Sequence, residues 1–180
     1  YNSIGLTDRE YQPYPEYIVP SVGYETTFKN GEIGGEAGEY PYLMFNPHYF
    51  RRSHTVFDNC PWMREAWSNP VFLNASDAAE KGIEDGDTVR VWTKSGEVLR
   101  KACCMENMRP GQVGIPHGSW VDVDEATGID LAGADNYLIG NDISGCGGTS
   151  YNNNNCNFEK YEAVSLEADC DLPMRIVDLG

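Results

Sequence analysis

The sequence is poor in long apolar runs and in positive charge. No apolar stretch approaches the ~20 residues that a membrane-spanning helix needs, and none is typical of a signal peptide. Thirteen Lys and Arg face 28 Asp and Glu, which gives a formal net charge of −15. Because such a protein repels a phosphate backbone, nucleic acid is excluded as the expected partner.

Metal-binding and catalytic patterns are also missing. The six cysteines form no CxxC pair, which argues against a zinc or iron–sulfur site and against a disulfide framework. We find no Ser–His–Asp order, no paired carboxylates and no nucleophile elbow. We therefore expect no catalytic and no metal-binding residue in this chain, and the residues favour a ligand-binding domain over a self-contained enzyme.

The 180 residues are enough for one domain with long tails, and 19 Gly and 11 Tyr favour strands and turns over long helices. The chain begins at Tyr1, so we expect a processed protein or an excised piece of a larger one. Residues 1–40 are predicted to be an extended linker or arm, because prolines bias their predecessors away from helix. Residues 41–162 are predicted to form the domain, and residues 163–180 a tail.

The stretch from Val71 to Met105 indicates the architecture. Residues 71–73 are long enough only for a strand, and Asn74 stands where a helix N-cap belongs. A helix of about two turns then ends at Gly82, and residues 88–93 alternate like a half-buried strand before a hairpin. A helix this short cannot cover a wide parallel sheet, but it can close the side of a small barrel.

Further strands are predicted at 40–46, 113–116 and 156–161, with a short amphipathic helix ending near Trp67. The expected fold class is therefore mainly β with short helices, arranged as a small closed barrel.

Residues 48–55, HYFRRSHT, hold two of the three histidines and two adjacent arginines. An arginine fork with hydroxyl and backbone N–H groups suits a diphosphate. The alternative is a solvated basic loop that balances nearby acids.

Three later segments carry polar groups. His117-Gly118-Ser119 offers polar edges and a close backbone approach to a ligand, although a lone histidine at a strand end is often structural. Residues 122–130 resemble a calcium loop but lack the glycine at its sixth position, so the alternative is a solvated acidic loop. Gly145–Gly148 opens no helix and does not predict a phosphate cradle. The asparagines at 152–155 suit a loop, or the mixed donor and acceptor edge of a heterocycle.

Taken in order, these motifs resemble the C-terminal molybdopterin-binding domain of the dimethyl sulfoxide reductase family of molybdenum oxidoreductases, and the catalytic subunits of anaerobic dimethyl sulfoxide reductases in particular. The resemblance runs from about Gln12 to Tyr161, and the ordered set is specific although each piece is weak alone. The pieces are PYPEYIVP, HYFRRSHT with Thr55 in place of Ser, NASDAAEKGIEDGDTVRV, SGEV, RPGQV, IPHGSW, DNYLIGND and a closing YN…EKY.

The resemblance implies a double-psi β-barrel that covers part of a bis(molybdopterin guanine dinucleotide) cofactor. The cofactor-binding residues that it implies are His48, Arg52, Ser53, His54, Thr55, His117, Gly118, Asn136 and Asn152. Asp122, Asp124 and Asp130 are candidates for reading the guanine.

The resemblance also places the molybdenum ligand and an iron–sulfur cluster upstream, in other domains of the parent. It implies upstream domains of the same polypeptide as partners, with an iron–sulfur subunit and a membrane anchor subunit as further candidates, and a prokaryotic parent that is exported or membrane-associated. The parent reaction would be two-electron oxygen-atom transfer, and this fragment alone is not expected to be active. The alternatives are a stand-alone barrel interaction module and a barrel that cleaves itself at Gly118-Ser119.

Overall fold

The computed structural model describes Tyr17, residues 19–140 and residues 154–166. Two short α-helices and six strands follow one another in this part of the chain: β1 (Tyr42–Phe45), α1 (Pro61–Ala66), β2 (Pro70–Asn74), α2 (Ala75–Glu80), β3 (Thr88–Trp92), β4 (Glu97–Met105), β5 (Gln112–Gly114) and β6 (Asn154–Lys160). Single 3₁₀ turns lie at Glu25–Thr27, Lys29–Gly31 and Asp135–Leu138.

The six strands close into a barrel in the order β1-β5-β2-β4-β3-β6. Two pairs are parallel, β1 with β5 and β2 with β4, and the other pairs are antiparallel. The predicted fold class, mainly β with short helices in a double-psi barrel, is confirmed. Because β1 and β5 run in the same direction, the loops that follow them leave at the same end of the barrel.

Local sequence signals explain the elements well. The Asn74 side chain accepts hydrogen bonds from the backbone N–H groups of Ser76 and Asp77, as expected of an N-cap. Gly82 ends the helical segment with φ +67°, a left-handed conformation that glycine adopts without strain. On β3 the predicted alternation is present, since Val89 and Val91 are fully buried and the residues between and after them are not.

The barrel interior is apolar. The side chains that meet there are buried almost completely, and they are contributed by all six strands: Met44, Val71, Leu73, Val89, Val91, Val98, Val113, Cys156 and Phe158. Burying side chains of this kind removes apolar surface from water and is the main driving force for closing the barrel.

The chain before the barrel is not uniformly extended. Residues 25–31 turn twice, and the backbone of Phe28 pairs with that of Ala37, so part of the predicted extended arm folds back on itself. The boundaries at residues 40 and 162 stay a prediction. Within the described part of the chain, every helix is too short and too polar to reach across a lipid bilayer.

Candidate functional site

The three histidines of the chain meet at the end of the barrel where β1 and β5 finish. His48 and His54 lie in the loop after β1, and His117 follows β5, where its backbone N–H donates to the carbonyl of Pro47 at 2.9 Å. The ring centroid of His54 is 4.7 Å from that of His117, and His48 is 5.8 Å from both. The parallel pairing of β1 and β5 therefore brings together residues that are 63 or more positions apart in sequence.

Two hydrogen bonds link these rings to a buried acid. His117 Nδ1 lies 2.7 Å from Asp135 Oδ2, and His117 Nε2 lies 2.7 Å from His54 Nδ1. Because a carboxylate only accepts, His117 Nδ1 donates to Asp135, and a second hydrogen bond joins His117 Nε2 to His54 Nδ1. His54 Nε2 is then the ring nitrogen of an exposed residue that can reach a ligand. The arrangement presents a fixed imidazole edge to a ligand.

The backbone around this cluster adopts conformations that side chains disfavour. His54 has φ +53° and Ser119 has φ +119°, both in the region that favours glycine. Gly118, with φ +94°, packs directly on the His54 backbone, and a Cβ atom there would lie 1.6 Å from the His54 carbonyl oxygen. Strained residues of this kind concentrate at functional sites.

Beneath the histidines lies a buried ionic cluster. Arg52 Nη1 donates to Asp58 Oδ1 at 2.8 Å, and Arg51 Nη2 lies 3.2 Å from the same oxygen. Both guanidinium groups and the carboxylate are at most 3% exposed. Arg52 Nη2 also donates to Asn69 Oδ1. The predicted basic segment thus turns its arginines inward, while Ser53, His54 and Thr55 stay exposed.

The second oxygen of Asp58 joins this cluster to the loop after β5. It accepts from the backbone N–H of Trp120 at 3.0 Å and from the Ser119 hydroxyl at 3.5 Å. The indole N–H of Trp120 donates to the carbonyl of Thr55 at 3.2 Å. One carboxylate therefore fixes the two loops that carry His54 and His117.

Of the two asparagines predicted to bind the cofactor, the structure describes one. Asn136 is exposed and directly follows Asp135, the acid that holds His117. Asn152 and Gly145–Gly148 lie outside the described residues.

For residues 122–130 the alternative to a calcium loop was a solvated acidic loop. The structure shows that the stretch is solvated only in part. Asp130 is fully buried, and its carboxylate accepts from the backbone N–H groups of Asp122, Ala132 and Ala134 at 2.5–3.1 Å. The half-buried Asp124 accepts from Thr127 within its own turn. Among the residues that the structure describes, no group of three or more His, Cys, Asp or Glu side chains is placed to hold a metal ion.

The buried charges of this end of the barrel were only partly predictable. Within the described residues the buried charged side chains are four arginines and three aspartates, in a chain whose net charge is −15: Arg51, Arg52, Arg64, Arg100, Asp58, Asp130 and Asp135. Sequence reasoning singled out the Arg51-Arg52 pair and Asp130, but it missed Asp58, Arg64, Arg100 and Asp135. The two missed acids had a sequence signal. Asp135 directly precedes the predicted site residue Asn136, and Asp58 lies within four residues of the predicted site residue Thr55.

We predict that Asp58→Ala destabilises the fold strongly. The change leaves Arg51 and Arg52 buried without their carboxylate, which typically costs about 3–5 kcal/mol. As a control, Glu36→Ala removes an exposed ion pair with Lys29, where about 0–1 kcal/mol is expected. Urea unfolding of the chain, followed by tryptophan fluorescence, measures both. Equal midpoints for the two variants would contradict the role of Asp58.

We also predict that Gly118→Ala separates the two histidine loops. Gly128 has a similar φ of +75°, but a Cβ atom there meets nothing within 4 Å. Both alanine variants bear the backbone penalty of about 1–3 kcal/mol, and only Gly118→Ala adds the clash with His54. Imidazole resonances of His54 and His117 should therefore shift in Gly118→Ala and stay unchanged in Gly128→Ala.

Comparisons with known proteins identify the family of this chain. Residues 42–156 match the family model described as molydopterin dinucleotide binding domain. The chain is 34% identical over 100 residues to dimethyl sulfoxide reductase DmsA of Escherichia coli, covering 56% of this chain and 12% of that protein. It is 36% identical over 92 residues to trimethylamine-N-oxide reductase of Haemophilus influenzae, covering 49% of this chain and 11% of the other. The chain thus spans about an eighth of the length of these relatives.

A solved structure supports the fold. Acetylene hydratase from Pelobacter acetylenicus superposes with a TM-score of 0.68 at 19% identity, covering 89% of this chain and 22% of that one. The family model extends over more than half of the chain and takes in five complete strands and the first residues of β6. The chain therefore belongs to the molydopterin dinucleotide binding domain family, and the relatives that it resembles are named as dimethyl sulfoxide and trimethylamine-N-oxide reductases.

Proposed function

We propose that the histidine cluster is the surface on which this domain binds the pterin and phosphate portion of a bis(molybdopterin guanine dinucleotide) cofactor. The observation that carries the proposal is the chain of hydrogen bonds from Asp135 through His117 to His54. It orients the imidazole ring of the exposed His54, and an exposed imidazole in a fixed orientation can hydrogen-bond a ligand in a defined direction.

The donor set fits a pterin. A pterin edge carries N–H donors beside nitrogen and carbonyl acceptors, so it needs both kinds of partner. His54 Nε2 offers an imidazole nitrogen, and the ring of the exposed His48 lies 5.8 Å from those of both His54 and His117. Gly118 allows the close approach of the two loops that produces this edge. His48, His54, His117 and Gly118 are therefore assigned to the pterin side.

A phosphate fits the neighbouring positions. The Ser53 and Thr55 side chains are exposed, and their hydroxyl groups can donate to phosphate oxygens. Arg51 and Arg52 lie beneath them at low dielectric, where a charge acts over a longer range than it does in water. We assign two roles to Arg52, neither of which requires contact with the ligand. Arg52 holds this segment from its buried side, and its positive charge attracts the phosphate. Asn136 is assigned to the cofactor as well, and Asn152, which lies outside the described residues, is proposed as a cofactor-binding residue from the family resemblance alone.

We further propose that this domain acts within a larger reductase that transfers an oxygen atom in a two-electron reaction. The support is the similarity to relatives named as dimethyl sulfoxide and trimethylamine-N-oxide reductases. The cofactor supplies the redox chemistry at molybdenum, and this chain supplies binding, orientation and hydrogen-bonding groups. The molybdenum ligand and an iron–sulfur cluster are assigned to other domains of the parent.

The test uses the full polypeptide that carries this domain. His54→Ala and His117→Ala each remove one ring of the hydrogen-bonded pair, and we expect the bound molybdenum and guanine nucleotide to fall about tenfold, in line with the loss of about 1.4 kcal/mol or more per tightly held contact. Val56→Ala is the control, because Val56 is 57% exposed and lies beside His54 without joining the cluster. Full cofactor content in both histidine variants would refute the proposed site.

The exposed aromatic side chains beside the site suggest how the domain meets the rest of that polypeptide. Phe50 is 77% and Trp67 39% exposed, their ring centroids lie 5.1 Å apart, and Tyr49 packs on Trp67 at 6.0 Å. We call these three residues the aromatic ridge; burial raises the pKa of Tyr49, the most enclosed of them. Adjacent exposed aromatics are typical of an interface. We propose that other domains of the same polypeptide cover the ridge, since it continues directly from the cofactor site.

Replacing Phe50 tests the ridge. Phe50→Ser should lower the melting temperature of the full polypeptide by several degrees, because a covered aromatic ring is lost, and should leave the isolated chain nearly unchanged. Ile33→Ser is the matched control, since Ile33 is 62% exposed in the loop between Phe28 and Ala37. Differential scanning calorimetry measures both. Equal shifts for the two variants would show that the ridge faces solvent.

A further inference from the structure

Arg100 is the largest fully buried side chain among the described residues. It lies on β4 between Leu99 and Lys101 and is 1% exposed. Burial lowers the pKa of Arg100 to about 9, with the nearby Arg52 acting in the same direction and Asp135 opposing it. Keeping a cation in such a place is costly unless its hydrogen-bond donors are satisfied. The partners of this side chain therefore indicate what it does.

The guanidinium group donates to backbone carbonyls of three separate segments. Nε donates to Gly133 at 2.8 Å, Nη1 to Pro70 at 3.1 Å, and Nη2 to Pro116 and Gly118 at 2.9 and 3.5 Å. Only the planar, five-donor fork of arginine reaches carbonyls in so many directions. The side chain thus ties the beginning of β2 to the two loops that carry His117 and Asp135.

The chain makes room for this contact. Gly133 has φ +73°, and a Cβ atom there would lie 2.8 Å from Arg100 Cγ and 2.8 Å from the carbonyl oxygen of Leu99. Gly133 is followed closely by Asp135, whose carboxylate accepts from the backbone N–H of Gly118 at 2.9 Å and from His117. Arg100 and Asp135 therefore both hold the loop after β5. Arg100 binds the backbone carbonyls of this loop, and Asp135 binds the Gly118 N–H and the His117 ring.

We propose that Arg100 is a positioning residue for cofactor binding: by clamping the carbonyls of Pro116, Gly118 and Gly133, it fixes His117 against Asp135 and His54 without touching the ligand. This inference rests on the proposed function of the histidine cluster. It assigns a role in binding to a strand residue that lies under the site.

The experiment compares three variants of the full polypeptide. Arg100→Met removes all the donors while keeping a long side chain, and Arg100→Lys keeps the charge with fewer donors. Arg90→Met is the matched control on the neighbouring strand β3, where Arg90 is half-buried and pairs with Glu97 and Glu159. Hydrogen exchange with mass spectrometry reads the peptides that contain residues 115–119 and 133–135, and bound molybdenum is measured before and after dialysis.

We expect Arg100→Met to raise exchange in these two peptides about tenfold while the peptides of β1 and β3 keep wild-type rates, which is the pattern of local opening. Molybdenum should be lost several-fold faster in the same variant. Arg100→Lys should lie between Arg100→Met and the wild type in both measurements, and Arg90→Met should match the wild type. If Arg100→Met does not fold, the graded response of Arg100→Lys decides alone.

Two results would overturn the inference. Uniformly faster exchange in all strands would make Arg100 a general stabiliser of the barrel. Local loop opening with normal molybdenum retention would remove its link to the cofactor. In that second case His117→Ala separates the two proposals: loss of molybdenum in His117→Ala leaves the proposed function standing and rejects only the role of Arg100, whereas retention in both variants rejects both.

Discussion

The site depends on a buried layer of charge between the barrel and the loops at one end. In the described part of the chain this layer contains four arginines and three aspartates, and Asp58 and Asp135 each bond to two loops. Burying ions costs several kcal/mol each, and carbonyls and carboxylates at hydrogen-bond distance offset about that much. An apolar layer would close the barrel more cheaply. Buried ions instead determine the positions of the loops, because each of their hydrogen bonds fixes a particular loop atom.

The strands and the short helix were predictable because they depend on local signals. The Asn74 cap, the left-handed Gly82 and the Val89–Val91 alternation act within a few residues, so the sequence alone identifies them. The barrel order is different, since β1 pairs with β5 and β6 through residues about 70 to 114 positions away. Resemblance to a family predicted a closed barrel, and local propensity carries no information about the order of its strands.

The sequence identified the histidines that gather at this end of the barrel, but not the directions in which the arginine side chains point. His48, His54 and His117 were identified from ordered motifs, and they do meet. Arg52 was expected to face a diphosphate, but its guanidinium group is buried against Asp58 and Asn69. Arg100 sits between an apolar and a charged residue, a pattern typical of a solvent-facing position. In both cases the direction is decided by acceptors from other segments, which spacing along the chain does not reveal.

Inward-facing arginines also reconcile an acidic protein with an anionic ligand. On the surface, a guanidinium group competes with water and salt and would be screened within about 8–10 Å. Beneath the site, Arg51 and Arg52 share the single carboxylate of Asp58, so the cluster keeps a net positive charge, and the loops above it present hydrogen-bond donors and acceptors that discriminate by geometry. In the proposed site, attraction and recognition are assigned to different residues: Arg51 and Arg52 to the first, and the His54–His117 pair to the second. Such a division lets the exposed surface remain acidic without weakening the hold on a phosphate.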